Sequence, residues 1–271
     1  MPLTLHSAAG SDIGRRRPLN QDSAVTSPRL LAVADGMGGH AHGEVASSVA
    51  VGALAALDTT LVGADLSEVD LLAALAQAVT GAADRLTGMA REDTALRGTG
   101  TTVVALLFDG ARVGILHVGD SRAYVVRDRA LVRLTRDHTL VQALVDEGRL
   151  SVEEAAEHPR RSMLLRTLQD GTTVEPDLFV HEGRPGDRYL ICSDGVTAVL
   201  SDAEIHQVLV AAPEPAAAVE RLIELANLGG GPDNITCVVA DLVESAEAAP
   251  ADGPLLFGAA AAPPPGDAPA G

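Results

Sequence analysis

Lysine and tryptophan are missing from this chain of 271 residues, and only three Phe and two Tyr are present. With so few aromatic rings, Val, Leu, Ile and Ala must fill the core, and a hydrophobic content of 46% suffices for one large domain or two small ones. All 20 basic residues are arginine, which reads as coding bias and carries no function. The formal charge of −17 excludes the broad basic surface that a nucleic-acid partner requires. Cys192 and Cys237, each inside an apolar run, are too few for a disulfide framework and suit small buried hydrophobes. No run approaches the ~20 apolar residues of a membrane helix, LLFGAAAA at 255–262 being the longest candidate in the tail. The opening MPLTLHSAAGSDIG lacks the basic and apolar regions of a signal peptide. A cytoplasmic monomer with no membrane and no nucleic-acid partner is expected.

Residues 29–35, RLLAVAD, read as a buried strand feeding a glycine turn. The Ala-rich stretch after Gly43 predicts a tightly packed helix, and Leu71, Leu72, Leu75 and Val79 predict a second one following Ser67. TTVVALLF, ARVGILHVG, RAYVVRD and ALVRLT predict an antiparallel meander, with Asp109-Gly110 as a hairpin turn. Helices are predicted over 139–147 and after Ser151 and Ser201, each of which has a Glu three residues on for a capping box. Strands are predicted at 174–181, 187–193 and 235–242. Blocks of strands and blocks of helices indicate a layered α+β fold. From residue 245 to 271 the composition turns to Ala, Pro and Gly, which predicts a disordered tail after a folded domain over 1–244.

Four aspartates punctuate apolar runs: Asp22 in NQDS, Asp35 in VADGMGG, Asp194 in LICSDG and Asp233 in GGGPDN. A lone Asp before Gly is more often a turn residue than a ligand. Carboxylates gathered at strand ends are nevertheless where hard cations such as Mg2+ or Mn2+ find oxygen ligands, and two such ions can activate water and clamp a phosphoryl group. DGMGG lacks the Lys and Ser/Thr of a P-loop and the spacing of a dinucleotide fingerprint. His40 and His42 have no Cys or third His at zinc spacing.

SDIGRRRPLNQDS, VADGMGG, GTGTT, HVGDSR, LICSDG and GGGPDNIT, in this order over roughly residues 5–242, resemble the metal-dependent Ser/Thr protein phosphatases of type 2C, bacterial branch. The resemblance implies a central sandwich of two antiparallel sheets flanked by helices on both outer faces. Asp35 would bridge two Mg2+ or Mn2+ ions, the Gly36 carbonyl would bind the second, and Asp194 and Asp233 would complete the first ion's ligands. Asp22, with Gln21, would orient metal-bound water, although many relatives carry an acidic residue at the Gln21 position. Arg17 falls at the family's phosphate-clamping arginine, while Arg15 and Arg16 read as a solvated face. Asp120 would join Asp194 at a third ion, with a plain structural turn as the rival reading. Residues around His158 to Val174 fall at the family's flap, where Ser162 is a further contact for the third ion. Met37 occupies the place where animal relatives carry a proton-donating His, leaving His40 or a metal-bound water as acid. The implied activity is phosphoserine and phosphothreonine hydrolysis without a phosphoenzyme, on phosphoproteins that include Ser/Thr kinases and their substrates. The alternatives are a phosphatase dedicated to a stress-response anti-sigma antagonist and an inactive phosphoprotein-binding scaffold.

Overall fold

A computed structural model describes residues 3–38, 42–244 and 253–261. The chain opens with strands β1 (Leu3–Asp12), β2 (Asp22–Thr26) and β3 (Leu30–Met37), then helices α1 (Gly43–Thr60) and α2 (Leu71–Glu92). A short β4 (Gly100–Thr101) precedes β5 (Val103–Phe108), β6 (Arg112–Val118), β7 (Arg122–Arg127) and β8 (Ala130–Arg133). Helices α3 (Leu140–Asp146) and α4 (Val152–Glu157) lead to β9 (Leu168–Gln169), β10 (Asp177–Glu182) and β11 (Arg188–Cys192). Helices α5 (Asp194–Thr197), α6 (Asp202–Ala211) and α7 (Pro215–Leu228), then β12 (Ile235–Glu244) and β13 (Leu255–Gly258), complete the order.

One antiparallel sheet runs β1-β12-β11-β7-β8, and the other runs β10-β6-β5-β3-β2-β13 with β4 and β9 paired beside it. Side-chain alternation sorts the apolar runs into three layers of core. Leu31 and Val33 of β3 meet Ile191 and Val238 between the sheets. Leu30, Ala32 and Ala34 of the same strand face α1 and α2. On the far side, Tyr124, Leu190 and Val239 pack against α6 and α7. Each sheet is therefore buried on both faces, which is why its strands read as continuous apolar runs. The α-β-β-α layering is the one the resemblance implied.

Three expectations change. The meander is two hairpins in different sheets: β5 pairs with β6, whereas β7 pairs with β8 and β11. The switch occurs at Gly119 (φ +106), where a Cβ would lie 2.5 Å from Thr102. Helix α2 begins after Asp70, whose side chain accepts the Ala73 N–H at 3.0 Å, and Ser67 lies in a separate single turn. The segment 255–258, expected to be unstructured, forms β13 along β2 because Leu255, Leu256 and Phe257 supply a strand-length apolar run. The remainder of the expected tail, 245–252 and 262–271, lies outside the described residues. The Ser151–Glu154 and Ser201–Glu204 capping boxes are both present.

Candidate active site

The two sheets deliver their acidic residues to one end of the sandwich. β2 and β3 place Asp22 opposite Asp35 in register. Asp194 follows the end of β11 as the first residue of α5, and Asp233 precedes β12. Asp35 is fixed through its backbone: its N–H donates to Thr102 Oγ1 at 3.0 Å, and its carbonyl accepts from Thr101 Oγ1 at 2.8 Å and the Thr102 N–H at 2.9 Å. Two close approaches depend on glycine. A Cβ at Gly36 would lie 2.1 Å from the Gly43 carbonyl oxygen, so only glycine admits the start of α1 here. A Cβ at Gly195 would lie 1.9 Å from the Asn234 carbonyl oxygen, so only glycine lets β12 begin beside Asp194.

Asp35, Gly36, Asp120, Asp194, Asp233 and Arg17 line a single cleft of about 580 Å3, together with Gln21, Met37, His42, Glu44, Ser162 and Asn234. Arg17 Nη2 donates to Asp233 Oδ2 at 2.6 Å. Asp22 does not line the cleft; it is fully buried beneath it, its Oδ2 accepting from Ser193 Oγ at 2.7 Å. Among the described residues, the buried Asp22 Oδ1 and Asp194 Oδ1 have no hydrogen-bond partner. Burial, ahead of repulsion from the neighbouring carboxylates, pushes the carboxyl groups of Asp22, Asp35, Asp120 and Asp194 upward. Crowded oxygens short of positive charge are a donor set for hard cations.

Several contributors escaped sequence reasoning although their motifs were in view. Asn234 takes the Gln21 N–H on Oδ1 at 2.8 Å and donates to the Ile13 and Leu19 carbonyls, tying the Arg17 loop to β12. Ser193 in LICSDG and the threonines of GTGTT hold Asp22 and Asp35 as described. Glu44 carried no signal. It accepts from Gln21 Nε2 at 2.9 Å and faces His42 Nδ1 at 2.8 Å, so an acidic residue at Gln21 would meet a second carboxylate. His158 is not among the cleft-lining residues and accepts the Arg160 N–H as the cap of α4. His40 lies outside the described residues.

Ligand-capable atoms of His117, His138 and Asp177 lie within 4.8 Å of one another. His138 Nδ1 accepts the Gly119 N–H at 3.1 Å, which leaves the ring proton on Nε2, 3.1 Å from Asp177 Oδ2. With its lone pair and proton both engaged, His138 links Gly119 to Asp177, while neither ring nitrogen of His117 has a hydrogen-bond partner among the described residues. The His138 N–H also donates to the Gly119 carbonyl at 2.8 Å, steadying the turn that carries Asp120.

Residues 10–226 match the family described as Protein phosphatase 2C. The chain belongs to that family. It is 50% identical over 242 residues to the serine/threonine protein phosphatase PstP of Mycobacterium tuberculosis, covering 89% of this chain and 46% of PstP. It thus spans about half the length of that relative. It is 35% identical to the serine/threonine phosphatase stp of Listeria monocytogenes, covering 88% of this chain and 96% of stp. The crystal structure of PstP superposes with a TM-score of 0.84 over 89% of this type 2C chain and all of the other. A structure of the PstP catalytic domain in complex with two manganese ions gives 0.82 at 49% identity, again over 89% of this chain and 100% of that one. Among the described residues, no helix is long and apolar enough to cross a membrane.

Proposed function

We propose that this chain hydrolyses phosphoserine and phosphothreonine in proteins with the aid of two Mg2+ or Mn2+ ions. The observation that carries the reading is the convergence of Asp35, Asp194 and Asp233 on one cleft, with the buried Asp194 Oδ1 left without a hydrogen-bond partner among the described residues. Asp35, the Gly36 carbonyl, Asp194 and Asp233 would hold the two ions, and Asp120 with Asp194 a third. When bound, such ions supply an activated water and offset the charge of the phosphoryl group.

The chain's own side chains do the rest. Arg17 is the one permanent cation among the described lining residues, and its planar fork suits a tetrahedral oxyanion. Asp22 steadies the floor through Ser193. Both thiols are buried on the helix side of their sheet, where burial raises their pKa, so neither Cys serves as nucleophile and attack by water is direct. The Met37 thioether cannot protonate a leaving serine alkoxide. His42 lines the cleft with its Nδ1–H donating to Glu44, so its other ring nitrogen can donate that proton when the ring is the doubly protonated imidazolium.

A Mn2+-titrated assay on phosphoserine and phosphothreonine peptides, with EDTA as control, tests the reading. Turnover that survives EDTA, or wild-type rates in Asp35→Asn, would refute it, and a metal-bound chain that binds phosphopeptide without turnover would favour the scaffold alternative. On the same peptides His42→Ala, compared with His40→Ala, identifies the acid. Its loss should slow phosphopeptide hydrolysis while sparing p-nitrophenyl phosphate, whose phenolate leaves without help. The Ser/Thr kinases whose products such a chain would remove are its expected partners.

A further inference from the structure

β2 is buried at all five residues, Asp22, Ser23 and Thr26 included. Without β13 it would be the outermost strand of its sheet, with its outer row of backbone N–H and C=O groups unpaired. β13 supplies the pairing. Leu255, Leu256, Phe257 and Gly258 run antiparallel to Thr26, Val25, Ala24 and Ser23. Phe257 packs against the core between the sheets, Ala260 packs against the core beneath α1, and the Ala260 N–H donates to Ser23 Oγ at 3.1 Å. Gly258 adopts φ +66, and a Cβ there would lie 2.2 Å from the Asp22 carbonyl oxygen and 2.9 Å from Ser11 Oγ. The segment is thus fitted to the backbone of Asp22 itself, and it lies outside the residues 10–226 that match the family.

We infer that the edge of β2 is a strand-addition site whose ligand is the chain's own segment 253–261, and that filling it holds the Asp22 end of β2 where the acidic cluster needs it. The recognition chemistry is main-chain pairing along β2, one aromatic inserted between the sheets, and a glycine where the strand meets Asp22. The segment is a positioning element, touching Asp22's backbone and not the cleft. The second half of the inference rests on the metal-binding role proposed for the cluster, and the first half does not.

Ending the chain at Glu244 and supplying the peptide GPLLFGAAA, residues 253–261, in trans tests both halves. The shortened chain should melt several degrees below the full chain, bind the peptide saturably in calorimetry, and recover its melting temperature. Peptides carrying Phe257→Ala or Gly258→Val should bind at least about tenfold more weakly. The full chain, its edge already filled, should not bind the peptide. Calorimetric Mn2+ affinity should fall several-fold on shortening and return with the peptide. Should the shortened chain fail to fold, Gly258→Val in the full chain replaces it: the amides of 23–26 should lose deuterium-exchange protection while those of β7 keep theirs. Unchanged melting without peptide binding, or unchanged protection in Gly258→Val, overturns the strand-addition site. Peptide binding with unchanged Mn2+ affinity overturns the positioning role alone. A full chain that binds no Mn2+ refutes the metal reading while leaving the peptide result intact.

Discussion

Arg17 and Arg15 lie two residues apart and meet different surroundings. Arg17 reaches into the cleft to Asp233, whereas the Arg15 N–H is spent on the Gly231 carbonyl at 2.8 Å. Arg17→Ala should therefore raise KM for phosphopeptides and cut kcat/KM by roughly tenfold or more, Arg17→Lys should restore little of it, and Arg15→Ala should change neither. Steady-state kinetics on one peptide decides this, and equal losses at 15 and 17 would indicate a general basic patch. The buried carboxyl groups make a second prediction about acid and base. Burial lifts Asp22 to about 7 and Asp194 to about 6, above their unfolded values near 4. The native state then holds protons that the unfolded chain has released, so these carboxyl groups make stability fall as pH rises between about 4 and 7, opposed in part by His117, whose burial holds it down to about 4. In EDTA the melting temperature should decline across that window, and saturating Mn2+ should flatten the decline. A metal-free melting temperature that climbs from pH 5 to pH 7 would contradict the proton accounting.

Among the elements, the contact between β3 and the start of α1 is one of the two tightest constraints on the site, with that of Gly195 against Asn234. Gly36→Ala would drive a methyl into the Gly43 carbonyl, and it should cost about 1–3 kcal/mol of stability along with most activity, read by denaturant melts and turnover. Ser201→Ala, far from the cleft, should cost about 1 kcal/mol through the lost capping box and leave kcat alone. Elements of this kind were legible in the sequence because their causes are local: Ser and Glu at capping spacing, apolar runs ended by Asp-Gly, a turn at Asp109 whose side chain accepts the Arg112 N–H. The acidic motifs were legible too, and folding brings Asp35, Asp120, Asp194 and Asp233 to one cleft. What could not be read was which strands share a sheet. β6 and β7 carry the same aliphatic pattern, and only the crowding of Gly119 against Thr102 reveals that the chain crosses between layers there. β13 was hidden for a related reason: four residues amid Ala and Pro look like tail until β2 offers them a partner. Glu44 and Asn234 left no periodic trace, since Asn234 meets distant backbone groups and Glu44 meets the side chains of Gln21 and His42.

At the scale of the whole molecule, the acidic cluster joins two bodies. Asp22 and Asp35 belong to one sheet, while Asp194 and Asp233 stand at the ends of strands in the other. A cation held by both sets should stabilise the fold by mass action, about 2.7 kcal/mol at a hundredfold excess over Kd. For a chain of this size that is roughly 5–10 °C in melting temperature, which thermal scans at increasing Mn2+ would register. A melting temperature indifferent to Mn2+ would mean that no ion is bound across the layers. Between those layers the core mixes aliphatic side chains with Phe108, Tyr189 and Phe257, joined by side-chain packing and by few polar ties such as Ser7 to Thr26 and Ser193 to Asp22. The ion then works as a rivet through a laminate. Stripped of it, the laminate can open along the apolar seam, and the amides of Val33 should exchange with deuterium in a different block from those of Ile191 and Val238. Riveted, all three should exchange together, only when the whole domain opens.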